Sequence, residues 1–173
     1  MEIKSIKNFL PVDLGNRIRK YVDGQAPGYN WKTSVTAWNG YLNSNSTGQV
    51  SILNLAPFDE DLHILYKDII DPTWNITCMY YVWAPGTHIP FHTDSHVKAA
   101  STIYMNDTWD INNGGLFLWK DENNKIQVEE PEEFKMIYNE QSIQHGVSMI
   151  PPNAGKYRQT IQIFFDGEKN DNT

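Results

Sequence analysis

Apolar residues recur at the helical period near the start of the chain. Between Phe9 and Val22 they follow one another mostly three or four positions apart, with Pro11 near the start and Gly24 just past the end. Proline is tolerated in the first turn of a helix, and glycine commonly follows the last one. The segment therefore predicts an amphipathic helix with one buried face.

A second helical pattern runs from Asp59 to Ile70, where the apolar positions form one stripe and Pro72 ends it. We expect Asp59 to cap the first turn, because an aspartate oxygen can accept from free backbone N–H groups. Between the two helices, Lys32–Trp38 alternates as a strand does. The following segment, Asn39–Gly48, is rich in Asn, Ser and Gly and predicts a loop.

From about residue 75 the pattern changes to short β-rich runs separated by turns that contain Gly, Pro, Asn and Asp. The runs are Ile76–Trp83, Ala99–Met105, Leu116–Trp119, Phe134–Tyr138, His145–Met149 and Tyr157–Phe165. Many short, evenly spaced strands after helices are typical of a sandwich or jelly roll. We therefore predict a mainly β fold with flanking N-terminal helices.

The chain has 173 residues, of which 40% are hydrophobic, so it can form one core but is too short for two ordinary domains. We expect a single domain over residues 1–173. In it, 1–75 supply the helices and a supporting strand, 76–166 form the β core, and 167–173 are a polar tail.

Charge and composition exclude several classes of function. Fourteen Lys+Arg against twenty-one Asp+Glu give a net charge of −7, which argues against a nucleic-acid partner. No apolar stretch approaches the ~18 residues of a membrane span, and the N-terminus lacks the features of a signal peptide. The single Cys78 cannot form an internal disulfide. We expect a cytoplasmic protein that needs no membrane, and we leave its oligomeric state open.

Three residues suggest a metal site. His92 and Asp94 are two positions apart, so in an extended segment both side chains face the same side. His145, on a distant predicted strand, is the natural third ligand. Two imidazoles and one carboxylate form the ligand set of non-haem Fe(II) oxygenases. The alternative is that His92 and Asp94 are ordinary surface residues, since this tripeptide pattern is common by chance.

A competing metal site would use His88, His92 and His96, which are four positions apart as on a zinc-binding helix. Pro90 opposes that helix, because it would remove a backbone hydrogen bond and clash with the preceding turn. We therefore expect His88 and His96 in loops, and His63 on the polar side of its helix.

Four motifs follow one another within residues 76–166. They are Trp83-Ala84-Pro85-Gly86 before His92-Thr93-Asp94, then Thr102 to Asn106 with Trp109-Asp110 and Gly114-Gly115, then His145-Gly146-Val147, and finally Arg158 to Phe165. In order and in most spacings they resemble the Fe(II)- and 2-oxoglutarate-dependent dioxygenases. The similarity is strongest to the prolyl 4-hydroxylases, including the oxygen-sensing prolyl hydroxylase domain enzymes.

The resemblance implies a double-stranded β-helix, also called a jelly-roll or cupin-like fold, in which His92, Asp94 and His145 hold Fe(II) at the open end. It implies 2-oxoglutarate and O2 as cosubstrates and makes ascorbate a candidate reductant. Arg158 matches the arginine that pairs with the distal carboxylate of 2-oxoglutarate, a role suited to the two parallel hydrogen bonds of a guanidinium. Tyr104 matches a tyrosine that binds the same carboxylate.

Two departures from the family pattern leave alternatives open. Trp83 stands where the family usually has a tyrosine near the cosubstrate, and Tyr81 shares its strand face, so that contact belongs to one or the other. The interval from His145 to Arg158 is a few residues longer than usual. Lys156 is the alternative anchor on the same strand face, but Arg158 begins the better match to the last core strand.

By resemblance, the protein is an enzyme that hydroxylates a peptidyl proline. A free amino acid or another small metabolite is the alternative substrate, and a non-catalytic β-helix that binds a metal or ligand is the rival of another class. Nucleic-acid demethylation is disfavoured, because Phe164 stands where that branch has a second arginine. We expect Trp38 and Tyr41 to help cover a peptide. The deep site should be lined by Trp83, Ile103, Phe117, Ile161 and Ile163.

Overall fold

A computed structural model of the chain describes residues 3–26, 30–38, 40–140 and 143–168. Its α-helices are α1 (Val12–Asp23), α2 (Ser34–Ala37), α3 (Gly40–Asn45) and α4 (Asp59–Leu65), with short 3-10 helices at Ala56–Phe58 and Ile111–Asn113. Its strands are β1 (Lys4–Ile6), β2 (Trp31–Thr33), β3 (Val50–Asn54), β4 (Trp74–Trp83), β5 (Ile89–His92), β6 (Ala99–Tyr104), β7 (Phe117–Lys120), β8 (Ile126–Glu129), β9 (Met136–Glu140), β10 (His145–Val147) and β11 (Arg158–Glu168).

The strands form two antiparallel sheets that face each other. The large sheet has the order β1-β9-β6-β11-β4-β3-β2, and the small sheet has the order β5-β10-β7-β8. Apolar side chains from both sheets pack together between them, as Tyr81 and Trp83 of β4 do with Ile89 of β5 and Val147 of β10. The predicted mainly β fold with flanking helices is therefore confirmed.

The two faces of the large sheet bury different kinds of residue. Along β11, the alternate residues Ile161, Ile163 and Phe165 are fully buried in the main apolar core. That core lies on the helix side of the sheet and includes Ile18 of α1 and Leu62 of α4. The residues between them on β11 therefore face the small sheet, because side chains alternate along a strand.

Both predicted amphipathic helices are present with narrower bounds. The first begins at Val12 rather than Phe9, and Gly24 follows its end. The second ends at Leu65, and the chain continues to Ile70 in turns. The expected cap by Asp59 is wrong, because Asp59 is the first helical residue and Phe58 takes the cap position. No side chain of the described residues caps the helix.

The segment between these helices differs from its prediction. Within Lys32–Trp38 only Lys32 and Thr33 belong to a strand, β2, and the chain turns into α2 at Ser34. Ser and Thr favour helix starts, which explains why the alternation ends there. Asn39–Gly48, expected as a loop, contains α3. No residue of α3 is buried, so its sequence carries no apolar period to detect.

The N-terminal part contributes three strands to the large sheet, β1, β2 and β3, rather than one supporting strand. β1 is exposed along its length, so its sequence has no alternation of buried and exposed residues that would predict a strand. At the other end, β11 continues to Glu168, into the expected polar tail, and residues 169–173 lie outside the described part of the chain. Among the described residues, no helix has the length and apolar character needed to cross a membrane.

Candidate metal centre and its cavity

A cavity of about 580 Å³ lies between the two sheets. The large sheet supplies one wall and the small sheet supplies the other, while residues 93–97 and parts of α2 and α3 line its edge. All three predicted metal ligands and Arg158 line this same cavity. The fold therefore brings together residues that are up to 66 positions apart in the sequence.

The three candidate ligands converge in space. His92 ends β5 and lies opposite His145 at the start of β10, and Asp94 follows two residues after His92. The Asp94 carboxylate lies between the two rings, 3.6 Å from His92 Nε2 and 3.4 Å from His145 Nε2. One ligand atom from each residue lies within 4.8 Å of the others, close enough for a single metal ion.

Backbone carbonyls fix the tautomer of both histidines. His92 Nδ1 donates to the carbonyl oxygen of Pro90 at 2.9 Å, and His145 Nδ1 donates to that of Ile143 at 3.0 Å. Since a carbonyl oxygen only accepts, each Nδ1 carries the proton, and each Nε2 can present its lone pair to a metal. Phe117 stacks on the His145 ring and restricts its rotation further.

The electrostatics of the centre keep the carboxylate ionised. Burial acts to raise the pKa of Asp94, but the hydrogen bond and charge of His145 outweigh it and lower this pKa. Burial acts to lower the pKa of His145, but Asp94 outweighs it and raises this pKa. The pKa of His92 is lowered by burial and by His145. A cation bound here and a proton on His145 would compete for the same Nε2 lone pair.

Gly146 lets the two ligand-bearing strands approach each other. A Cβ at this position would lie 2.8 Å from the carbonyl oxygen of Ile89 and 3.2 Å from the backbone nitrogen of Phe91. Any side chain there would push β10 away from β5 and separate His145 from His92. In the dipeptide His145-Gly146, the histidine is a candidate ligand and the glycine allows the close packing of β10 on β5.

Arg158, the first residue of β11, is a fully buried cation. Within the described part of the chain its Nε and Nη1 atoms have no hydrogen-bond partner, and its Cζ lies 4.8 Å from the Trp83 ring and 5.2 Å from the Tyr104 ring. Burial lowers its pKa. An unpaired buried charge is costly, so this site is suited to an anionic ligand.

The alternative anchor, Lys156, lies elsewhere. It is exposed, its Nζ donates to Thr108 Oγ1 at 2.7 Å, and it does not line the cavity. Gly115 makes room for Arg158, because it has a φ of +63° and a Cβ added there would lie 2.8 Å from Arg158 Cδ. The geometry therefore favours Arg158 over Lys156 as the group available to a ligand in the cavity.

The two predicted tyrosines lie at different depths. Tyr104 is fully buried beside Arg158, and its hydroxyl has no hydrogen-bond partner among the residues that the structure describes. Tyr81 lines the cavity and packs with Trp38 and Trp83 in an aromatic cluster. Burial raises the pKa of Tyr81 to about 12, so it stays protonated near neutral pH. The indole of Trp83 donates to Thr160 Oγ1 at 2.9 Å.

Part of the predicted lining is wrong. Trp83 and Phe117 line the cavity, but three other residues, Ile103, Ile161 and Ile163, belong to the core on the helix side of the sheet. The alternate positions Thr102 and Gln162 face the cavity instead, and both are polar. Thr102 donates to Gln162 at 3.0 Å, and Gln162 donates to Thr160 at 3.1 Å. Side chains two positions apart share a strand face, so the position of Arg158 could have identified Thr160 and Gln162 as residues on the cavity side.

Among the described residues, the remaining histidines form no second metal site with His92. Residues 88–96 are strand and loop, so the zinc-binding helix is excluded. His88 pairs with Thr47 through a β-bridge, as a loop residue would. His96 is exposed at the cavity edge, with its ring 6.2 Å from Phe164. Trp38 lines the cavity, and Tyr41 is exposed on α3.

Compared by sequence, the chain matches no protein-family model and no curated protein. By structure it is similar to a Pseudomonas putida prolyl-4-hydroxylase, with 14% identity and a TM-score of 0.66 over 96% of this chain and 92% of that one. A 2OG-Fe(II) oxygenase-family oxidoreductase from Burkholderia pseudomallei has 11% identity and a TM-score of 0.70, covering 96% and 88%.

A third similar structure is a prolyl hydroxylase from Trichoplax adhaerens in complex with a peptide fragment of the hypoxia inducible factor oxygen degradation domain. It has 15% identity and a TM-score of 0.65, covering 95% of this chain and 83% of that one. Identities this low establish the fold and no more. The chain has the double-stranded β-helix fold predicted from its motifs.

Proposed function

We propose that this chain is an Fe(II)- and 2-oxoglutarate-dependent dioxygenase that hydroxylates a peptidyl proline. The observation that carries the proposal is the combination of two features in one cavity. Two imidazole nitrogens and a carboxylate converge at one point, and a buried, unpaired Arg158 lies in the same space. This ligand set suits Fe(II), and the arginine suits a dicarboxylate.

The residues present fit both groups. His92, Asp94 and His145 would hold the iron and leave coordination positions free for the cosubstrate and O2. Arg158 would bind the distal carboxylate of 2-oxoglutarate, and the free Tyr104 hydroxyl beside it would donate to the same group. The anion would satisfy polar atoms that otherwise have no partner, which supports the assignment.

When bound, iron and 2-oxoglutarate supply the oxidising chemistry, in which O2 converts 2-oxoglutarate to succinate and carbon dioxide and inserts one oxygen atom into a substrate C–H bond. The protein positions the reactants and excludes water. Backbone acceptors orient His92 and His145, and the wall formed by Trp38, Tyr81 and Trp83 keeps this part of the cavity dry.

Charge in the cavity supports a peptide rather than a free amino acid. Arg158 is the sole Lys or Arg among the described residues that line it, while Asp166 adds a carboxylate. With Arg158 committed to 2-oxoglutarate, the carboxylate of a free amino acid would find no second Lys or Arg among the described lining residues. Two similar structures are prolyl hydroxylases, one of them in complex with a peptide, which supports a peptidyl proline.

The single cysteine, Cys78, is buried and free, which supports a cytoplasmic location.

The test is an aerobic assay with Fe(II), 2-oxoglutarate, ascorbate and a library of N-acetylated, C-amidated peptides with a central proline. We expect succinate formation to rise with peptide and the proline to gain one oxygen atom by mass spectrometry. Hydroxylation of free proline in preference to every peptide would support the small-metabolite alternative. Succinate formation without any hydroxylated peptide would contradict the proposed substrate but not the cosubstrate.

A further inference from the structure

A second unpartnered polar group faces the cavity at Asn139 in β9. The residue is 2% exposed and lines the cavity, and its Nδ2 atom has no hydrogen-bond partner among the described residues. A buried donor without a partner costs about 1–3 kcal/mol. Such a group calls for an explanation, and a ligand that accepts its hydrogen bond provides one.

The sheet register locates Asn139 far from the arginine. Asn139 pairs with Ala100 of β6, and Ala100 pairs with Phe164 of β11. Phe164 is six positions along β11 from Arg158, which is roughly 20 Å at the usual rise of a strand. A five-carbon dicarboxylate held by Arg158 cannot reach across this separation. Asn139 therefore belongs to the part of the cavity that 2-oxoglutarate leaves free.

The metal centre lies towards this same end of β6. The backbone N–H of Val97 donates to the carbonyl oxygen of Asp94, and the chain then enters β6 at Ala99. Ala100, the neighbour of Asn139, is small and apolar and also lines the cavity. The amide thus faces the cavity from a position that is buried from water, where a hydrogen bond is stronger than in water.

We propose that Nδ2 of Asn139 donates a hydrogen bond to a peptide carbonyl oxygen of the substrate and so acts as a specificity-determining residue. This assignment rests on the proposed function. A neutral donor can hold a neutral carbonyl without a counter-ion, whereas a carboxylate in the same place would need a cation that the described lining does not supply. Asn139 therefore selects substrates that present an amide next to the reacting residue.

The first test measures stability, because a ligand-binding amide and a structural amide behave in opposite ways. In the ligand-free protein, Asn139→Leu should leave the urea unfolding midpoint unchanged or raise it, since it removes an unpaired donor. The matched control is Thr102→Val on the adjacent row of β6. Its buried hydroxyl is already bonded to Gln162, so its removal should lower the midpoint. A lower midpoint for Asn139→Leu would overturn the assignment.

The second test measures peptide-stimulated succinate formation with the blocked proline peptides. Asn139→Leu should lose about tenfold or more in kcat/KM for peptide, the worth of one hydrogen bond to a buried carbonyl. Its anaerobic absorption band with Fe(II) and 2-oxoglutarate should be unchanged. Asn139→Ala, which adds no bulk, should lose a similar factor. Tyr138→Phe, the next residue on β9 and part of the helix-side core, should match the wild type.

The outcomes separate the two proposals. Equal peptide stimulation of Asn139→Leu and the wild type would overturn the role of Asn139 and leave the dioxygenase intact. Loss of the anaerobic band in Asn139→Leu would also overturn it, because the amide would then act on the cosubstrate. No stimulation of the wild type by any peptide would overturn the peptidyl substrate, and the assignment of Asn139 with it.

Discussion

Over residues 160–163 of β11, the two faces of the large sheet differ in chemistry although they share the same strand. On β11, Ile161 and Ile163 are fully buried against the helices. Thr160, just before Ile161, accepts a hydrogen bond from Trp83 on the cavity side. Gln162, between the two isoleucines, accepts one from Thr102 on the same side. The alternation of a strand thus lets one segment serve stability on one face and ligand binding on the other.

This comparison predicts that the two faces can be changed independently. Substitutions on the helix side should lower stability and spare the chemistry. Substitutions of cavity-side groups that have no partner in the ligand-free protein, such as Arg158, should lower binding or turnover and spare the fold, because those groups are available to ligands. Each of the following experiments tests that separation.

The largest effect is expected at the metal centre. Asp94→Ala removes the carboxylate that lies between His92 and His145, so Fe(II)-dependent succinate formation should fall by more than about a thousandfold. The circular dichroism spectrum should stay that of the folded protein. The exposed Asp68→Ala is the control and should retain full activity. Full activity in Asp94→Ala would remove this residue from the ligand set.

On the helix face, Ile163→Ala should lower the free energy of unfolding by about 2–5 kcal/mol, because it leaves a cavity in the main core. Activity per folded molecule should be unchanged at temperatures below the transition. Urea titration and an assay on the same sample measure both quantities. Ile126→Ala is the matched control, since Ile126 is 57% exposed and its loss should change stability little. A selective loss of 2-oxoglutarate affinity in Ile163→Ala would break the comparison.

At the arginine end, Arg158→Met should weaken 2-oxoglutarate binding about 10–200-fold, the worth of a hydrogen bond to a charged group. The ligand-free protein should be as stable as the wild type or more stable, because the variant lacks an unpaired buried cation. Anaerobic titration gives the affinity and urea unfolding gives the stability. The exposed Lys156→Met should bind normally. Normal binding by Arg158→Met would contradict its role.

The smallest effect is expected from Gly115→Ala. The added methyl group would contact the Arg158 side chain, and the positive φ of this position disfavours alanine by about 1–2 kcal/mol. We expect the KM for 2-oxoglutarate to rise several-fold with a modest loss of stability. Gly155→Ala is the control, because nothing lies within 4 Å of its added Cβ. An unchanged KM would show that Arg158 tolerates displacement.

Much of the fold was predictable because its core strands have strong β-forming sequences. The long strands β4, β6 and β11 lie close to their predicted positions. β1 and α3 were missed because none of their described residues is buried, so neither carries an apolar pattern. β3 was missed although it is buried, because a run of five residues is too short to separate a strand from other apolar segments.

The candidate site shows the same limit in another form. Residue types and motif order predicted that His92, Asp94 and His145 would meet, and the structure brings them within reach of one ion. Sequence reasoning assigned Ile103 to the wrong face of β6, because an apolar residue on a strand could line either side. Asn139 was missed altogether, since a lone asparagine carries no signal until its missing partner is visible.

The most direct test of the account is an anaerobic titration of the metal-free protein with Fe(II) and 2-oxoglutarate, followed by visible absorption. We predict a metal-to-ligand charge-transfer band that needs both additions, disappears in His92→Ala, and decays with succinate formation when oxygen is admitted. A folded protein that binds iron but gives no band with 2-oxoglutarate would contradict the account and favour a non-catalytic β-helix metal-binding protein.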